Sequence, residues 1–212
     1  MKAAERARRT QAERRAQSRE ALLEAAARGL SRNGYANLVL AQVAADAGYT
    51  RGALYHQFAG KEALALAVVR WVDETWTAEV GAPAAATTDP VEALTAMARG
   101  HARYCRRDVA NVMNVLWTEF AGRDHPVGSL ITEVVDRLTA QVAERIAEGR
   151  QSGAIPPGPP PATTATAYLG ALEGVVSRLT GQAPHDVELA EATVRGVLGL
   201  PPSPHRATHH TR

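Results

Sequence analysis

Leu22, Leu23, Ala26 and Leu30 share one face if the chain around them is helical. Comparable spacing returns along most of the remaining sequence. No stretch shows sustained period-2 alternation with β-branched residues, so the pattern predicts an all-α fold rather than one containing a sheet. Interruptions come from glycine and proline. "NGY" at 33–35 ends the first predicted helix, 13–32. Two very short helices follow, near 39–46 and 50–57, joined through Gly48. A longer one is predicted from Lys61 to about Val80, where "GAPAAATTDP" breaks it. Asp89 then offers a cap with Pro90 at the first helical position, and that helix is predicted to reach Arg107. Further helices are predicted at 108–121, 127–151, 162–181 and 186–198, about nine in all. The prolines of "IPPGPPP" remove backbone donors and clash with a preceding helical turn, so the segment reads as a stiff loop between two of them.

The chain has 212 residues, 45% of them apolar, enough to bury a real core. No apolar run approaches the roughly 20 residues of a membrane span. The charged N-terminus has no apolar stretch after it, so no secretory signal is expected. Cys105 is the single cysteine, which rules out an internal disulfide and fits a reducing cytoplasm. Charge is unevenly spread. Residues 1–62 hold 11 Lys/Arg against 6 Asp/Glu, while the rest holds 13 against 16. A basic head on a mildly acidic body suits a polyanion partner; a solvated basic tail is the plainer alternative. Residues 1–12 read as frayed and 201–212 as a disordered tail.

The stretch "AGYTRGALYHQFAGKEAL", 47–64, concentrates the chemistry. Val43, Ala44 and Ala47 line one face of a short helix, Gly48 permits a tight turn, and Thr50 can cap the next helix. Leu54 and Phe58, four apart, point into the core, which leaves Arg51, Tyr55 and His56 facing outward. Two short helices crossing over a glycine turn form a helix-turn-helix, whose second helix fits the DNA major groove.

These residues resemble the N-terminal domain of the TetR family of bacterial transcriptional regulators. The matching pattern is Gly34-Tyr35, Val43-Ala44, Ala47-Gly48-Tyr49-Thr50, Gly52-Ala53-Leu54-Tyr55, Phe58 and Lys61-Glu62-Ala63-Leu64. The resemblance implies a DNA-binding domain at 1–60 with a basic N-terminal arm, and a ligand-binding and dimerisation domain at 61–200. It implies that Thr50, Arg51 and Gly52 open the recognition helix, with Gly52 allowing close backbone approach to DNA. The Tyr55 hydroxyl would reach a phosphate or base, or its ring would pack on the first helix. Arg51 would read a base edge or touch phosphate only. His56 would touch phosphate or sit on the surface, and Lys61 would favour a phosphate at a helix start.

One departure stands out. The family carries Thr or Ser at two positions where this chain has Leu38 and Val39. Loss of such a cap costs about 1 kcal/mol. Asn37 is a candidate substitute cap, and Gln42 or the basic residues Arg14, Arg15 and Arg19 are candidates to replace the phosphate contact.

The body offers helical stripes. Leu94, Met97, His101 and Cys105 form one; Val109, Val112, Met113, Leu116, Trp117 and Phe120 form another. Plain core packing accounts for either. The resemblance implies a ligand pocket among the central helices, with Met97, His101, Tyr104, Met113 and Trp117 as candidates for an apolar or aromatic effector. Tyr168, Leu172, Val175, Val176 and Leu179 form a stripe on the penultimate helix and Val194 belongs to one on the last, with Gly170 and Gly174 permitting close helix approach. In the resembled family these helices pair between two copies, so these residues are candidates for a homodimer interface, the alternative being packing within one chain. Two recognition helices about one DNA turn apart would then read a palindromic operator.

The histidines show no metal-ligand spacing, and neither a phosphate loop nor a nucleophile motif is present, so no enzyme, metal or cofactor is expected. The expected function is a ligand-responsive regulator, most naturally a repressor released from its operator by a small effector. The competing reading is a helical ligand-binding dimer whose DNA head has weak or lost affinity.

Overall fold

The computed structural model describes residues 11–179 and 182–203. The described residues contain α-helix and no strand, as the periodicity requires. Most of the basic arm and most of the expected tail lie outside them. The chain divides into two compact units, one reaching Val72 and including Asn111–Ile131, the other formed by Asp73–Ala110 and the chain from Thr132 onward. The first unit is thus larger than the 1–60 division read from the sequence, because a segment far along the chain packs into it.

In the first unit, helix α1 (Gln11–Asn33) buries Leu22, Leu23, Ala25, Ala26, Ala27 and Leu30 on one face. Each large apolar side chain so buried contributes about 1.5–3 kcal/mol. Gly34 ends the helix at φ 72°, donating its N–H to the Leu30 carbonyl at 2.9 Å. Helix α2 (Leu40–Asp46) and helix α3 (Arg51–Gln57) follow, turned by Gly48 at φ 77°. Helix α4 (Lys61–Trp76) starts directly after Gly60 and buries Leu64, Ala65, Val68, Val69 and Val72.

The expected break near Val80 is absent. A π-helical turn (Thr77–Gly81) and the short helix α5 (Ala82–Ala85) continue the coil. The Ala82 N–H reaches back five residues to the Thr77 carbonyl. That wider turn lets the chain accommodate Pro83, which would clash with the preceding turn of a regular α-helix.

Helix α6 (Pro90–Tyr104) begins as expected, with Asp89 accepting from Val91 N–H at 2.9 Å. It stops before Arg107, because residues 105–110 form short i→i+3 turns. Helix α7 (Val112–Phe120) therefore starts four residues later than predicted, in the first unit. Helix α8 (Pro126–Gln151), helix α9 (Pro161–Leu179) and helix α10 (His185–Val197) match their expected spans closely. The second unit's core gathers Leu94, Met97, Tyr104, Ile146, Ile155, Tyr168, Leu172, Val176 and Val194. No helix among the described residues is long and apolar enough to cross a membrane.

Candidate nucleic-acid interface and effector site

Helix α3 has two faces of different chemistry. Leu54 within it and Phe58 at its C-cap are buried. Thr50 caps it by accepting from Ala53 N–H at 3.2 Å. Arg51, Gly52, Tyr55 and His56 are exposed, as is Gln42 on α2. Tyr55 leaves 43% of its surface open, so packing on the first helix does not bury it. The Arg51 guanidinium lies 5.3 Å from the Tyr55 ring centroid and donates to its hydroxyl at 3.3 Å. The pair presents a planar cationic group together with an aromatic one, a combination suited to base edges and phosphates. Gln42 is held by its own helix, donating to Asp46 Oδ1 at 2.6 Å.

Lys61 is not a free cation. Its ammonium donates to the Ala36 carbonyl at 2.8 Å and lies 4.9 Å from the Tyr35 ring centroid. A phosphate at this helix start would have to draw Lys61 from that carbonyl or share it. Among the basic residues of α1, Arg14 and Arg15 are exposed, while Arg19 stacks over Phe58 at 4.7 Å.

Leu38 and Val39 separate in role. Leu38 is buried, and its Cδ1 sits 2.8 Å from where a Cβ on Gly29 would stand. It fills the groove that Gly29 leaves open and ties α2 to α1. Val39 is 60% exposed and occupies the N-cap of α2 without any side-chain cap bond. Asn37 does not occupy the N-cap, which is Val39; its side-chain Nδ2 donates back to the Asn33 carbonyl at 3.1 Å, at the end of α1.

In the second unit the candidate effector residues meet partners that the sequence did not reveal. The Trp76 indole N–H donates to His101 Nδ1 at 3.0 Å. On the other ring nitrogen, Nε2 faces Glu173 Oε2 at 3.3 Å and Cys105 Sγ at 3.5 Å. The Tyr104 hydroxyl shares a 2.8 Å hydrogen bond with Thr75. Burial disfavours the charged form of His101, as does the hydrogen bond from Trp76, while the Cys105 sulfur and the Glu173 carboxylate favour it and push its pKa above the ordinary value. The His101 hydrogen bond in turn holds the Glu173 carboxyl below its ordinary value, against the opposing effect of burial. Met97 packs in the same apolar cluster as Tyr104 and Trp76. The string Trp76–His101–Glu173 thus sets polar groups from α4, α6 and α9 against an apolar core. Met113 and Trp117 lie on α7, in the first unit, and Trp117 is 46% exposed.

Four of the six interface candidates face their own core. Tyr168, Leu172, Val176 and Val194 are buried, and the Tyr168 hydroxyl donates to the Leu94 carbonyl at 2.6 Å. Burial pushes its phenol pKa upward. Those four side chains are covered within one chain and leave little surface for a second copy. Val175 and Leu179 are half-buried. The open side of α9 carries Ala167, Gly170 and Gly174, and that of α10 carries Leu189, Ala192 and Gly196.

A second polar lock closes the unit. Arg106 grips Asp186 through two bonds, Nε to Oδ2 at 2.7 Å and Nη2 to Oδ1 at 2.8 Å. Asp186 is only 1% exposed, and the Arg106 hydrogen bonds hold its carboxyl below the ordinary value.

Comparison with known proteins agrees with this geometry. Residues 22–68 match the family model for bacterial regulatory proteins of the tetR family. AibR, solved in complex with isovaleryl coenzyme A and operator DNA, is similar at a TM-score of 0.72 and 23% identity, over 85% of this chain and 98% of that one. A TetR-family transcriptional regulator from Streptomyces coelicolor is similar at 0.72 and 21% identity, over 87% and 95% of the two chains. The transcriptional regulator FadR from Bacillus subtilis, in complex with stearoyl-CoA, is similar at 0.70 and 18% identity, over 84% and 97%. At these identities the likeness is one of fold. No curated protein matches the sequence.

Proposed function

We propose that this chain, whose residues 22–68 match the tetR-family model and whose all-helical fold is shared with TetR-family regulators, is a helix-turn-helix regulator of that family, which binds a palindromic operator as a homodimer and represses until a small apolar or aromatic effector releases it. The observation that carries this reading is the division of α3. Leu54 and Phe58 anchor the helix, Thr50 caps it, and Arg51, Tyr55 and His56 stand on the open face. A helix needed only for packing has no call for an exposed arginine–tyrosine pair at its first turns.

The effector reading rests on the Trp76–His101–Glu173 string beside Met97 and Tyr104. An effector that prefers one arrangement of these side chains would shift the populations of the unit's conformations. Its differential affinity sets the limit of that shift. AibR and FadR were each solved with an acyl-coenzyme A, so acyl thioesters belong in the first ligand screen beside free apolar and aromatic compounds.

The competing reading, a ligand-binding dimer with a weakened DNA head, draws on the uncapped Val39 and on the engagement of Lys61 by Ala36. A gel shift with DNA flanking the protein's own gene, and with a randomised pool, separates the two. Specific binding that weakens at least about tenfold in Tyr55→Ala supports the regulator. Lys61→Ala is expected to weaken specific and nonspecific DNA alike, as loss of a phosphate contact does. No specific binding by the unaltered chain supports the ligand binder.

A further inference from the structure

The turn between α1 and α2 is gripped by a residue far away in sequence. The Glu119 carboxylate, on α7, accepts from Tyr35 N–H at 2.5 Å through Oε2 and from Ala36 N–H at 2.7 Å through Oε1. Both amides lie just past the end of α1, where the backbone would otherwise turn its donors to solvent. Gly34 makes room, since a Cβ there would stand 2.7 Å from Glu119 Oε2. The same turn is held from two further sides. Lys61 donates to the Ala36 carbonyl, and the Tyr35 ring packs edge-on against Phe120 and His125, at 5.2 and 5.3 Å between centroids.

This grip matters because α2 has little else to orient its start. Its N-cap is Val39, which makes no side-chain cap bond. Leu38 holds the helix to α1 by packing, which resists separation better than it fixes rotation. The charge-assisted bonds from Glu119 are directional and stronger than neutral ones. They fix the two residues from which the chain enters α2, and through Gly48 that entry sets α3.

We propose that Glu119 is a positioning residue for DNA reading: its carboxylate fixes the α1–α2 turn and so the aim of the Arg51–Tyr55 face. The inference rests on the regulator reading above. Glu119 itself touches no DNA in this role. Its placement on α7 means that any change in the pose of that helix alters the aim of the head.

The sign of the effect makes the idea testable. Removing a negative charge near a DNA-binding surface strengthens binding if charge alone matters. Loss of positioning weakens it. The experiment uses the full chain with Glu119→Gln, Glu119→Ala and Glu119→Asp, measuring operator and nonspecific duplex affinity at one salt concentration. The expected result is an operator affinity lower by about tenfold or more in Glu119→Ala, the scale of a lost charged hydrogen bond, with nonspecific affinity unchanged or slightly higher. Glu119→Gln keeps one acceptor and is expected to fall between. Glu119→Asp is expected to recover part of the loss. Amide proton shifts of Tyr35 and Ala36 provide an independent readout. Both resonances are expected to move upfield in Glu119→Ala, while the helical circular dichroism is retained.

Equal or tighter operator binding by Glu119→Gln and Glu119→Ala overturns the proposal, as does a parallel loss on operator and nonspecific DNA. Unmoved Tyr35 and Ala36 amides show that the clamp does not form and overturn it too. An unaltered chain that binds no specific DNA, yet shows the amide shifts on substitution, overturns the regulator reading and leaves Glu119 a purely structural residue.

Discussion

Leu38 and Val39 look interchangeable in the sequence, two apolar residues where the family has hydroxyls, yet their surroundings demand opposite responses to substitution. Val39 is exposed at an extended N-cap position, with φ −106° and ψ 112°. Threonine there keeps the shape and restores an acceptor for the first free amides of α2. Val39→Thr is expected to raise stability by about 0.5–1 kcal/mol, seen as a higher denaturation midpoint. If its hydroxyl also reaches phosphate, the salt dependence of operator binding steepens by about one ion. Leu38→Thr is expected to cost about 2–4 kcal/mol, since it empties the groove at Gly29 and buries a hydroxyl there. Equal effects of the two substitutions in urea denaturation would show that the side chains share one environment.

The same rule, that an environment decides a residue's role, operates between elements. The charged form of His101 and its bond from Trp76 exclude each other, because a protonated Nδ1 cannot accept an N–H. In a pH titration followed by NMR, the Trp76 indole proton is expected to move upfield as pH falls through the His101 pKa. The midpoint should lie above 6.5, the ordinary value, in the direction set by Cys105 and Glu173. Glu173→Gln is expected to lower it, and an unmoved midpoint removes the carboxylate from the pair. The Arg106–Asp186 lock joins the end of α6 to the start of α10 and has an acid limit. A carboxyl whose folded pKa is depressed adds stability that is present above the unfolded value, about 3.9, and lost as pH falls through the folded one. Asp186→Asn is therefore expected to be less stable than the unaltered chain at pH 7. Urea midpoints of the two should converge as the pH is taken below about 4; a gap that persists unchanged would mean that ionisation is not what Asp186 contributes.

At the scale of the whole molecule, the proposed dimer needs a face of its own. With Tyr168, Leu172, Val176 and Val194 buried inside one chain, we propose the opposite side of α9 and α10 as the dimer face. A Cβ added at Gly170, Gly174 or Gly196 meets nothing within 4 Å, and Leu189 is exposed nearby on α10. Small residues let two helices approach closely, and a long charged side chain there keeps them apart. Gly174→Arg is expected to yield a monomer in sedimentation experiments, with helical content retained and operator affinity lost. Leu172→Ala is expected to do the reverse: it should cost about 2–5 kcal/mol of stability and leave the association state unchanged. A monomer from Leu172→Ala with full stability would return the buried stripe to the interface.

The helices and the two faces of α3 were legible in the sequence because both arise from neighbours within about four residues. Leu54 and Phe58 turn inward and Arg51 and Tyr55 outward by helical period alone, while Thr50, Asp89 and Gly34 mark their ends by chemistry that acts within a turn. Two local features still escaped. The π-helical turn before Pro83 and the turns from Cys105 hide in sequences that also suit an ordinary helix. Tertiary structure decided everything that joins distant positions: Glu119 with Tyr35, Glu173 with His101 and Asp186 with Arg106 lie 84, 72 and 80 residues apart. It also decided which side of α9 is core. That helix carries large apolar residues on one side and alanine and glycine on the other, both compatible with burial. Only packing against α6 and α10 placed the large side chains in the chain's own interior, because helical period shows that a face is apolar and not what covers it.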